Sequence, residues 1–273
     1  MTMGAFFALS VATAQGGYAS LSFGYAGGSS NSIGSSYEEL TEAKFDGLEW
    51  INGTSKSTVI SGTYGKGIPI NLAGGYMFND HIGAELGFTY FLGSTIESSK
   101  STWLDGSNSV TSSKGSQMRL LPQLVISSGT ESSLEVYAKG GFLLPVGGST
   151  TYKVDKLKSN GKRQVIEGNS TGKFSLGLTG TVGAAYGISD NLSIFGELQG
   201  VSLNIKSATS TMTSYVDEGE EKIGDISVQG KETVYTDEVL SGDNDLDTKP
   251  RVTLAGTTNY NSLGFNLGIK FKF

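Results

Sequence analysis

Every second residue from Leu263 to Phe273 is apolar: Leu263, Phe265, Leu267, Ile269, Phe271 and Phe273 alternate with Gly264, Asn266, Gly268, Lys270 and Lys272. Strand side chains point to opposite faces in turn, so this run has one apolar face and one small or polar face. Its length matches the ~9–11 residues that a tilted strand needs to cross a bilayer. An apolar edge strand would recruit other chains, and pairing it with a first strand in a closed barrel removes that edge.

The same period recurs along the chain. Ala19, Leu21, Phe23 and Tyr25 form a first strand. Ile68 to Phe78 form a second, and Ile82 to Leu92 a third, joined by the bend-forming Asn79-Asp80-His81. Met118 to Ile126 make a fourth strand, in which Pro122 lacks a ladder donor and predicts a nearby bulge. The turn Gly129-Thr130-Glu131-Ser132 leads into a fifth, Leu134 to Leu144. A sixth runs from Phe174 to Ile188 and a seventh from Leu192 to Ile205, joined by Ser189-Asp190-Asn191. The seventh changes parity near Val201, as a one-residue bulge would cause. Residues 27–66, 94–115, 149–173 and 206–258 are the long connections. An even strand number with short turns at one end and long loops at the other predicts an all-β, eight-stranded antiparallel transmembrane up-and-down barrel. The turns and both termini are expected to be periplasmic and the loops extracellular.

Alternation alone also suits a soluble lipocalin-type barrel with its apolar face inside. The polar face here is mostly Gly, Ser, Thr, Asn and Ala with few charges, whereas a water-facing exterior carries more Lys and Glu. Glycine makes up 40 of 273 residues, as crowding inside a narrow barrel would require. Aromatics gather near strand ends, with Tyr76, Phe78, Tyr186, Phe271 and Phe273 at one level and Tyr25, Phe88 and Tyr90 at another. The apolar face is therefore expected to meet lipid. There is no cysteine, and the net charge of -6 argues against a nucleic-acid partner. Met1 to Ala14 reads as a secretory leader with Ala12-Thr13-Ala14 as its cleavage site, leaving 15–273 as one barrel domain. The leader's positive n-region is missing, so a true start upstream of Met1 is expected, which mapping the genomic start would test.

The stretches Tyr76-Met-Phe-Asn-Asp-His-Ile-Gly-Ala-Glu-Leu-Gly-Phe88 and Val136-Tyr-Ala-Lys-Gly-Gly-Phe142, with the terminal Phe273, resemble the small OmpA-like, porin-like outer-membrane barrels. That resemblance implies residence in the bacterial outer membrane among membrane lipids and lipopolysaccharide, as a monomer. It also implies assembly by the barrel-assembly machinery, with Phe273 and Phe271 as the signal. Full-length OmpA-type proteins add a peptidoglycan-binding domain after the barrel. This sequence stops at Phe273, so cell-wall tethering is not expected.

Four charges on the polar face fall near mid-barrel: Glu85, Arg119, Lys139 and Glu197. Two acids and two bases in a narrow lumen are expected to pair, since an unpaired buried charge costs several kcal/mol. Such a network is either a structural plug or a gate that opens when pairs exchange. Glu135, Lys270 and Lys272 lie nearer the periplasmic mouth, where solvation is expected. Outer-membrane phospholipases, lipid A deacylases and omptin-type proteases use a histidine, and the single one here, His81, falls in a periplasmic turn. Glycine runs such as Gly177 to Gly183 lack the strand–loop–helix setting and Lys of a phosphate loop. No catalytic residue, cofactor or metal is expected.

The loops differ in sign. Residues 149–173 hold Lys153, Lys156, Lys158, Lys162 and Arg163 against Asp155 and Glu167, with Asn160-Gly161 marking a hairpin turn. Eleven acids lie between Asp217 and Asp247, against Lys222, Lys231, Lys249 and Arg251. Weak attraction between two solvated loops is expected, or else a surface patch for a host, phage or polysaccharide partner. Asp243, Asp245 and Asp247 have calcium-like spacing, but Thr248 replaces the loop glycine and the closing Glu is missing. Tyr37 to Trp50 is the stretch of most helix-like composition, a candidate short helix at the barrel mouth. The expected function is a non-catalytic surface protein supporting envelope integrity or adhesion. The alternatives are a narrow pore for ions or small solutes and an apolar-ligand conduit along Phe91, Leu121, Val125 and Leu143.

Overall fold

Alternating polarity is expressed as a closed wall. The computed structural model describes residues 16–28, 31–41, 44–45, 50–51, 53–129, 133–239 and 247–273; the expected leader lies outside them. The wall strands are β1 Gly17–Gly28, β2 Gly67–Met77, β3 Ile82–Gly93, β4 Asn108–Ser127, β5 Leu134–Leu157, β6 Gly177–Gly187, β7 Leu192–Ser202 and β8 Ser262–Lys272. Each is antiparallel to the next. β8 returns to β1 in unbroken register from Tyr18↔Lys272 to Gly28↔Ser262, closing the barrel.

The apolar parity faces outward. Phe23, Leu72, Leu86, Leu124, Val136, Leu198 and Leu267 are all exposed, as are the aromatics Tyr76, Phe78, Tyr186, Phe271 and Phe273 near the short turns. So continuous an apolar belt is the lipid-contacting surface of a transmembrane barrel. No described helix is long and apolar enough to cross a membrane; the crossing is made by strands.

Three details of the wall differ from simple alternation. β6 begins at Gly177, not Phe174. β7 is interrupted at Leu203, after which Leu203 and Ile205 turn inward and are buried, which is the parity change expected near Val201. Pro122 pairs in register with Leu86 on β3, and the bulge falls instead on β5, between Pro145 and Gly147. Pro122 has no N–H for β5, and the β4–β5 ladder skips there from Gly141↔Gln123 to Leu144↔Leu120.

The long connections are mostly not loops. β4 and β5 continue well past the apolar belt, and the barrel's sheet spreads outward on them as an outer sheet. Its order runs Thr54–Gly62, Asn31–Thr41, Ile96–Thr102, upper β4, upper β5, Arg163–Gly172, Asn204–Asp217, Glu232–Thr236 and Arg251–Leu254. These segments are rich in Ser, Thr and Val, and pair as ladders because each finds a partner strand. The expected helix at Tyr37 to Trp50 is not formed where the chain is described: Tyr37–Thr41 is strand, and Lys44–Phe45 pairs with Trp50–Ile51. Its apolar residues have no 3.6-residue repeat, whereas residues 54–62 offer a full set of backbone partners.

The basic and acidic connections are likewise joined by more than weak attraction. The hairpin turn sits at Asn160-Gly161 as its sequence predicts, with Gly161 at φ 78°. Arg163–Gly172 forms a ladder with Asn204–Asp217. Lys158 meets Asp217 at 2.6 Å, Lys162 meets Glu218 at 2.5 Å and Lys173 meets Asp237 at 3.3 Å.

The hydrogen bond from Lys158 holds the Asp217 carboxyl below the usual carboxylate range, and the same bond raises the Lys158 ammonium. A depressed acid contributes above its ordinary pKa of ~3.9, and a raised base below ~10.4, so the contact stands between about pH 4 and pH 10. Amide protection factors near residues 158–164 and 215–218 are expected to fall as the pH drops below this window. Asp217→Asn should remove that acid-side dependence.

Candidate functional site

A narrow eight-stranded lumen has little room, and residues directly opposite one another across the wall decide what fills it. Tyr18 on β1 stands opposite Gly75 on β2, which stands opposite Glu85 on β3. With no side chain at Gly75, the Tyr18 ring lies over that strand and its hydroxyl donates to Glu85 Oε2 at 2.8 Å. The row is repeated across the barrel. Tyr137 on β5 faces Gly183 on β6, which faces Glu197 on β7, and the Tyr137 hydroxyl donates to Glu197 Oε1 at 2.9 Å. A Cβ at Gly183 would lie 2.7 Å from the Tyr137 ring.

Lys139 lies between the two rows. Its Nζ is 3.0 Å from both Glu85 carboxylate oxygens and 2.8 Å from Glu197 Oε1, and all three side chains are at least nine-tenths buried. In a low-dielectric lumen this geometry satisfies the ammonium and most carboxylate lone pairs at once. The tyrosines are the members that sequence reasoning missed. A signal for them exists in the Tyr–Gly–Glu combination, but it appears only when the strands are set in register.

Two expectations are corrected. Glu135 and Lys270 are not solvated: both are buried, and Glu135 Oε2 receives Lys270 at 2.8 Å and Lys272 at 3.3 Å. Arg119 does not join the acids. It lies four residues along β4 from Gln123, the residue opposite Glu85, a rise of about 13 Å. Its guanidinium covers the Phe91 ring at 4.1 Å, its Nε donates to Gln117 at 2.8 Å, and its Nη2 has no hydrogen-bond partner.

Above the ion pairs the lumen is packed with apolar groups. Leu121, Leu143, Leu203, Ile205 and Tyr260 form a buried cluster, with Phe91 under Arg119 nearby. Two small voids, of about 30 and 10 Å³, lie beside the ion pairs and against this cluster respectively. A cavity of about 460 Å³ opens from the short-turn end toward Lys139, and one of about 410 Å³ opens from the outer end down to Gln117 and Tyr260. Phe91, Leu121 and Leu143, considered as a conduit, are a filled layer, while Val125 lines the lower cavity.

Other candidates fall elsewhere. His81 sits in the β2–β3 turn with its Nδ1 3.1 Å from the Ser127 carbonyl oxygen. Among the described residues no group of acids and histidines is arranged to hold a metal. Asp243 and Asp245 lie outside the described residues. Phe271 and Phe273 stack edge to face at 5.5 Å on the outer surface, and the Phe273 N–H donates to Gly17.

Comparison with known proteins agrees with this architecture. The family model of the OmpA-like transmembrane domain matches residues 43–215. The chain belongs to that family. Solved structures with detectable similarity to this OmpA-like barrel include Neisserial surface protein A, at 12% identity and TM-score 0.37, covering 95% of this chain and 98% of that one. The outer-membrane protein OprG of Pseudomonas aeruginosa has 15% identity and TM-score 0.43, covering 95% and 96%. Ail, the attachment invasion locus protein of Yersinia pestis, solved with the heparin analogue sucrose octasulfate, has 13% identity and TM-score 0.32, covering 95% and 100%. No curated protein sequence matches the chain.

Two outcomes follow for the OmpA-like lumen. Lys139→Met leaves two carboxylates facing each other and is expected to destabilise the barrel by about 3–5 kcal/mol in urea titrations. Adding Glu85→Gln and Glu197→Gln should recover most of that loss, as the coupling of one network requires. Gly183→Val should cost about 1–3 kcal/mol by pushing Tyr137 off Glu197, measured the same way.

Proposed function

We propose that this OmpA-like barrel is a sealed, non-catalytic, monomeric protein of the bacterial outer membrane that acts through its extracellular sheet, in envelope integrity or surface adhesion. The observation that carries the reading is the closed lumen. A permeant must part Lys139 from both Glu85 and Glu197 and also displace Leu121, Leu143 and Leu203. Separating a buried pair alone costs about 3–5 kcal/mol. The outer sheet, by contrast, rises well past the apolar belt on β4 and β5 and presents ion-paired charges of both signs to the exterior. Lipopolysaccharide and membrane lipids surround the wall in this reading, and the exposed Phe271 and Phe273 are the signal for the barrel-assembly machinery.

A narrow pore is the second reading, favoured by the cavities that reach inward from both ends. Single-channel recording in planar bilayers separates the two. The refolded protein should show no discrete openings, and neither should Arg119→Ala or Glu85→Ala, because each leaves the apolar layer in place. Discrete openings in the wild type that change with either substitution would replace the sealed barrel with a pore gated by these charges.

A further inference from the structure

Arg119 carries its charge in a buried part of the lumen. Its residue is 3% exposed, its Nη2 has no partner, and none of the ion pairs among the described residues includes it. The Phe91 ring beneath the guanidinium offsets part of the desolvation, but a ring face supplies no countercharge. The described lumen is also one negative charge short. Glu85 and Glu197 share Lys139, Glu135 takes Lys270 and Lys272, and Arg119 is the remaining cation. An isolated buried charge costs several kcal/mol, so something else meets it.

Arg119 lines the void of about 10 Å³ together with Thr89, Gln199, Ser262 and Asn266. None of those four carries a negative charge; Gln199, Ser262 and Asn266 can donate, whereas Thr89 has spent its proton. Thr89 gives its proton to Asn71, and Asn266 uses its Oδ1 to accept from Asn71, leaving its Nδ2 to donate. Ser262 and Gln199 bring a hydroxyl and an amide. A void of this size admits one water-sized particle, which excludes phosphate, sulfate and other polyatomic anions. We propose that a single chloride ion occupies this void as the counterion of Arg119, held by Nη2 and the amide and hydroxyl donors around it. Gln117, which fixes the Arg119 Nε, also lines the outer cavity.

The test is thermal unfolding of the refolded barrel in chloride, bromide or gluconate at matched ionic strength, together with diffraction from bromide-grown crystals. A ligand that binds only the folded state raises Tm with its concentration. Wild-type Tm should be about 2–4 °C higher in saturating chloride or bromide than in gluconate, and Arg119→Met should remove that difference. Ser262→Ala and Gln199→Leu, which keep the cation, should raise the chloride concentration needed for half the shift. Bromide should give an anomalous peak beside Nη2. Equal Tm in all three salts, or a void holding only water in bromide crystals, would overturn the proposal. If Arg119→Met does not fold, the bromide map and the two retained-cation variants decide it.

Discussion

The barrel depends on two tyrosines that reach across a strand. Glu85 and Glu197 are buried carboxylates, and each would be costly with one partner alone. Tyr18 and Tyr137 give each acid a second donor, and Lys139 supplies the charge that both acids share. The reach is available only because Gly75 and Gly183 leave the intervening strand bare. Glycine enrichment in a β protein is ordinarily a weakness, since the residue loses most entropy and packs least. Here it clears a path for an aromatic ring, and two rows related across the barrel converge on one ammonium.

Much of this architecture is legible in the sequence, because a strand's faces are encoded at the scale of single residues. Period-two alternation places Glu85, Arg119, Lys139 and Glu197 inside without any tertiary information, and Asn79-Asp80-His81 and Asn160-Gly161 mark their turns locally. What fails is what depends on register. Arg119 belongs to the same face as Glu85, but the stagger between β3 and β4 sets it about 13 Å up the barrel, against Phe91. Opposite effects explain Glu135 and Lys270. They lie near a mouth and read as solvated, yet Glu135 sits within reach of Lys270 and Ser127 and is closed over. The outer sheet was hidden for another reason: its Ser- and Thr-rich strands have no apolar face to bury, so they lack the alternation that reveals the wall.

That outer sheet changes what the connections can do. A flexible loop bears a large entropic cost when it orders on a partner, whereas a ladder anchored to β4 and β5 is already ordered. Residues 149–173 and 204–217 are held together by backbone bonds, so their charges are displayed at fixed spacings rather than drawn together by attraction. Surface ion pairs such as Lys153–Glu167 add little stability. Their effect is to set which charges face outward on a preorganised surface.

The lumen and the sheet therefore divide the problem of an outer-membrane protein between them. A pore must balance an open path against the cost of unpaired polar groups along it, and in the proposed sealed barrel the path is filled instead. The ion-paired layer and the apolar layer obstruct it by different physics, so loosening one leaves the other intact: salt or substitution weakens Lys139's contacts, while Leu121, Leu143 and Leu203 stay excluded from water. Arg119 stands against the apolar layer, a cation over an aromatic ring whose Nη2 has no hydrogen-bond partner. A buried cation of that kind is where the lumen of the proposed sealed barrel retains room for a small ion.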